Sequence, residues 1–134
     1  MQVKKITIIA TPIIASFVAV FIYAVIHEGG HALATLIQGG KVIRFDVNII
    51  TGSPHVVLSG EFSDIGRAMI NIAGVGLTYL VWLLVVPFLD KIKPVFLKLV
   101  SIIYSITFLG TLCALVALPL VYRAGGNVGS EDIV

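Results

Sequence analysis

Charge is what this sequence has least of. Asp, Glu, Lys and Arg make up 12% of its 134 residues, about half their share in an average soluble domain. The scarcity excludes several kinds of function. The nine basic residues are dispersed and leave a net charge of only +2, so there is no basic patch for nucleic acid. The lone cysteine, Cys113, lies in an apolar run; it has no partner for an internal disulfide and reads as a small apolar residue. There are only three histidines, which makes two of them close together informative.

Apolar residues take the place of charge, at 58% with a mean hydropathy of +1.09, well above the ~45–50% of a soluble domain. The chain reads as an integral membrane protein in contact with the lipid bilayer, with room over residues 1–134 for one domain and no separate soluble module. Residues 6–26, 68–89 and 99–122 carry no charge, and each run is long enough to cross a hydrocarbon core of ~30 Å. The expected fold is an all-α membrane protein with about three transmembrane helices, near 12–38, 66–89 and 95–122.

Thr11-Pro12 reads as the N-cap and first turn of the first helix, with residues 6–10 either extending it or forming an extended lead-in. Gly39-Gly40 ends it. Lys4 and Lys5 read as a membrane-surface anchor, because the apolar run behind them exceeds the ~7–15 residues of a signal-peptide core. After residue 40 the pattern changes. Val42, Ile43, Phe45, Val47 and Ile49, then Thr51-Gly52-Ser53-Pro54, then His55-Val56-Val57-Leu58 predict a β-hairpin over about 41–62, between the first and second helices and lying over the stretch from His27 to His31. The basic residues divide five to four between the two faces, so the positive-inside rule assigns no orientation.

The chemistry is concentrated in His27-Glu28-Gly29-Gly30-His31. On a helix, positions i and i+4 share a face, so both imidazoles can reach one ion, and Glu28 is rotated aside yet close enough to take a proton from a water there. Ionisable groups at membrane depth are costly and read as functional. Gly29 and Gly30 each weaken a helix by ~1 kcal/mol relative to alanine, which points to close approach of another backbone. A catalytic zinc takes three protein ligands and keeps one position open. The third candidate by topology is Asp132, because a third helix returns the chain to the motif's side. Glu131, Asp90 and His55 are its alternatives; Asp90 emerges ~25–30 Å away by helix rise.

His27-Glu28-Gly29-Gly30-His31-Ala32-Leu33-Ala34 in an apolar helix, followed by Gly39-Gly40-Lys41-Val42 and a hairpin, resembles the site-2 protease family of intramembrane zinc metalloproteases. The resemblance covers chiefly residues 21–80. It implies that His27 and His31 bind Zn2+, that Glu28 is the catalytic base, and that the substrate is a transmembrane segment of another membrane protein. The family's second signature, Ala-Gly-Pro followed by an Asn, corresponds here to Ala73-Gly74-Val75-Gly76-Leu77-Thr78, with valine for proline and threonine for asparagine. Leu89-Asp90-Lys91 copies part of the family's Leu-Asp-Gly, while Gly129 and Asp132 resemble the polar stretch that bears the aspartate in smaller relatives. The expectation is a multi-pass metalloprotease of a prokaryotic cell membrane. An inactive scaffold of the same fold, or a metal transporter or sensor, is the alternative.

Overall fold

A computed structural model of the chain describes residues 2–50 and 52–123. Helix α1 spans Gln2–Ile37, strands β1 (Lys41–Asp46) and β2 (His55–Ser59) form a hairpin, α2 spans Asp64–Val85, a 3-10 turn covers Val86–Lys91, and α3 spans Val95–Arg123. Three helical stretches, Ile9–Ile37, Asp64–Lys91 and Val95–Ala117, are long and apolar enough to cross a membrane. This is the expected all-helical membrane architecture with one hairpin between its first two helices.

Helix α1 starts ten residues before Pro12, so Thr11-Pro12 lies inside it and is not its cap. The reason is the solvent. Without water to satisfy free backbone groups, residues before a proline gain more from continuing the helix than from an extended lead-in. The Ser16 hydroxyl donates to the Pro12 carbonyl at 2.8 Å, the usual bond of a helical serine to the carbonyl four residues back. The C-terminus is where the two glycines placed it. Gly39 adopts φ +80°, Gly40 N–H returns to Thr35 O at 3.0 Å and Gly39 N–H to Leu36 O at 3.1 Å, the paired bonds of a Schellman turn.

That reversal sends the hairpin back along α1, past Glu28 and toward Phe17 and Phe21. The strands are antiparallel, with Val42 opposite Leu58 and Asp46 opposite His55, and a bulge between Val42 and Arg44. β1 stops at Asp46 because side chains capture the next amides: Asn48 N–H donates to Asp46 Oδ1 and Ile50 N–H to Asn48 Oδ1, each at 3.0 Å. Such Asx turns compete with the ladder. Val47, Ile49 and Ile50 then face Phe17 and Phe21 of α1 across an apolar cavity of about 550 Å³. At the other end the Phe62 ring packs against Gly40 and Gly60, which pins together the residues entering and leaving the hairpin.

Helix α2 begins two residues earlier than its apolar pattern suggests, because Ser63 caps it by accepting the Gly66 N–H at 3.1 Å. It runs antiparallel to α1, with Gly30 against Ala73 and Gly74 and Gln38 Nε2 donating to Gly66 O at 3.2 Å. Helix α3 runs in the same direction as α1: Val100 and Tyr104 pack on Ala15 and Ala19, and Thr111 meets Tyr23 further along. α1 is therefore the central element. Its alanines let α3 approach closely, the small-residue packing expected where lipid supplies no hydrophobic drive. The hydroxyls of Ser101, Ser105, Thr107 and Thr111 each donate to the carbonyl four residues back, at 2.8–3.1 Å, so these four protons are satisfied within their own helix.

Two predictions follow from this packing. A Cβ on Gly30 would fall 2.7 Å from the Ala73 carbonyl carbon and 2.8 Å from Gly74 Cα, whereas one on Gly29 would meet nothing within 4 Å. Gly30→Ala should therefore destabilise by about 1–3 kcal/mol, while Gly29→Ala stabilises by up to about 1 kcal/mol through helix propensity. Thermal unfolding in detergent reads both, and equal shifts would contradict the close approach. In the hairpin, the Asn48 N–H and the Arg44 guanidinium, 2.7 Å away, hold the Asp46 carboxyl below its ordinary value. A lowered carboxyl stabilises above its unfolded pKa and loses that contribution as pH falls through the folded one. The Asn48 amide resonance should titrate with a midpoint below the ~3.9 of a free aspartate; a midpoint at or above that value would exclude the turn.

Candidate metal centre

The two motif histidines come together as their spacing requires. Their rings lie edge to face, with centroids 4.9 Å apart and planes at 78°. His31 Nδ1 lies 2.7 Å from the carbonyl oxygen of Ile70 on α2. A carbonyl can only accept, so Nδ1 carries a proton, and in the neutral imidazole Nε2 then keeps its lone pair. This is the usual arrangement of a metal-ligating histidine, whose second nitrogen is held by an acceptor.

Both Nε2 atoms converge on one place beside α2. A Cβ on Gly74 would stand 2.5 Å from His31 Nε2 and 2.9 Å from His27 Nε2. The position is built from sequence on two helices: Gly30 brings the backbones together, and the missing side chain at Gly74 leaves both lone pairs unobstructed. Two imidazole nitrogens directed at a common point fit an ion bound at ~2.0–2.1 Å from each. A tetrahedral zinc needs more than this pair.

Glu28 is 9% exposed and lies near the backbone of Val56 in β2, with His31 and His55 in electrostatic reach. A buried carboxylate beside two imidazoles is a group that could take up a proton there.

The other candidates separate clearly. His55 begins β2, is exposed, and has Nδ1 3.0 Å from Ser53 O; it neighbours Glu28 and Asp46 and does not join His27 and His31. Asp90 is exposed on the 3-10 turn, 16 residues beyond Gly74 and so ~24 Å along the helix. Asp132 and Glu131 lie outside the described residues. Among the described residues, no three His, Cys, Asp or Glu side chains form a group that could hold a metal ion.

Two participants had no strong signal in the sequence. The Ile70 carbonyl is a backbone atom and leaves no trace in residue identity. Gly74 stood out only as one small residue among several in the second helix, although it faces the histidines directly. No family model matches the chain, and no curated protein or solved structure is similar to it.

Because Gly74 faces both nitrogens, Gly74→Ala should weaken metal binding by at least ~10-fold, the scale seen when a ligand's surroundings are disturbed, with helicity retained. Zinc titration of the detergent-purified variant beside Gly76→Ala, where nothing lies within 4 Å, provides the check. Equal affinities in the two would remove Gly74 from the site.

Proposed function

We propose that this protein is a multi-pass intramembrane zinc endopeptidase that hydrolyses peptide bonds in or near transmembrane segments of other membrane proteins, and that it is a member of the site-2 protease family. The observation that carries the reading is the convergence of His27 Nε2 and His31 Nε2 beside Gly74, with the buried Glu28 next to them and facing a strand.

In this reading His27 and His31 hold the ion, and Asp132 is the third ligand, delivered by the end of α3, which lies on the motif's side. When bound, zinc supplies Lewis acidity toward a peptide carbonyl and a water. Glu28 takes the proton of the attacking water and passes it to the leaving amine, as a general base and then a general acid. A helical substrate must open locally, since its carbonyls are engaged in its own hydrogen bonds. The strand β2 offers the opened segment a place: in a two-stranded sheet it has a free edge, it passes Glu28 at Val56, and an extended chain laid along it would bring a scissile carbonyl next to the base. The polar residues of 41–64 supply the route for water.

The test is zinc content and cleavage measured together. Wild-type protein should carry about one zinc and cut a reporter transmembrane helix. Glu28→Gln should keep the zinc and lose ~10²–10⁴-fold in rate, and Asp132→Ala should lose the zinc. Zinc without cleavage in the wild type would instead assign a scaffold of the same fold, and metal flux into vesicles would assign a transporter.

A further inference from the structure

The two histidines are oriented by different means. His31 is fixed by the Ile70 carbonyl. His27 Nδ1 is buried with no hydrogen-bond partner among the described residues, so nothing of that kind sets its ring. An imidazole so placed has a broad, roughly two-fold χ2 torsion to explore, and each departure swings Nε2 away from the point it shares with His31.

What borders the His27 ring is Tyr23, four residues earlier on the same face. The two rings stack with centroids 5.8 Å apart and planes within 22°, while His31 closes the other side edge-on. Tyr23 is itself held from a distance. Its hydroxyl donates to Thr111 Oγ1 of α3 at 2.7 Å, and Thr111 passes its own proton to the Thr107 carbonyl at 3.1 Å. Tyr104 leans on the other side of Tyr23, at 5.7 Å and 58°; it is only 4% exposed and donates to the Thr78 carbonyl of α2 at 3.0 Å. The ring against His27 is thus braced by all three helices.

We infer that Tyr23, anchored by its hydrogen bond to Thr111, is the positioning residue for His27, doing by stacking what the Ile70 carbonyl does for His31 by hydrogen bonding. The inference rests on the metal-site reading above and adds α3 to the elements that shape the site. Thr111 supplies the acceptor, and Tyr23 converts that fixed point into a fixed imidazole plane.

Cobalt(II) titration of the metal-free full chain in detergent, followed by visible absorption, tests it. Tyr23→Leu removes the stack and should weaken cobalt binding ~10–100-fold, the range for loss of a ligand's supporting partner, and alter the cobalt band. Tyr23→Phe and Thr111→Val each remove only the anchor. Each should weaken binding to an intermediate extent, the double variant should be no worse than either alone because the two residues act as one unit, and Thr111→Ser should restore wild-type behaviour. Thr111→Val preserves shape and suits a lipid environment, so it reports even if Tyr23→Leu fails to fold. Wild-type affinity and spectrum in folded Thr111→Val and Tyr23→Phe would overturn the positioning role alone. A wild type that takes up no cobalt would overturn the metal reading and this inference together.

Discussion

The contact on which the site depends is between two backbones. Gly30 of α1 lies against Ala73 and Gly74 of α2 so closely that a single methyl group would not fit between them. Three consequences follow from that distance. The Ile70 carbonyl comes within hydrogen-bond reach of His31, Gly74 comes opposite both imidazole nitrogens, and the hairpin linking the two helices is drawn alongside Glu28. In water a glycine within a helix is a weakness of ~1 kcal/mol. Between apolar helices, where burial of side chains gains little over contact with lipid, the same residue is what permits association.

Much of this was legible in the sequence because a bilayer simplifies the rules. Uninterrupted apolar runs can only be helices, so the three spans and the change of pattern at residue 41 could be read directly, and Gly39-Gly40 marked the end of α1 to within one residue. The start of α1 was not legible by the same means. Thr11-Pro12 carries a cap signature derived from proteins in water, where a proline's missing N–H is best placed in the first turn, and in an apolar setting that preference is overridden by the need to pair every other backbone group. The hairpin tip was misjudged for a related reason: strand propensity in Val47 and Ile49 lost to the local capture of amides by Asp46 and Asn48.

For the site, the spacing of His27 and His31 carried the pair, and the rotation of Glu28 away from it followed from helix geometry. What the sequence could not supply were contacts between helices. The partner of His31 is a main-chain oxygen, the residue that admits both nitrogens has no side chain, and Tyr23 and Thr111 are 88 residues apart with nothing in their identities to link them.

Phe62 gives the hairpin a different standing from the helices. Its ring holds Gly40 and Gly60, the residues at which the chain enters and leaves the two strands, so the segment between them is closed at a neck formed by one side chain. The entropic cost of closing a loop rises only slowly with its length, and beyond that neck both strands lie against α1 alone among the helices. Residues could be added or exchanged at the tip while the neck, the helix pair and the histidines stay as they are. A protein of this plan could vary the outer face of its hairpin without rebuilding the helix pair beneath it.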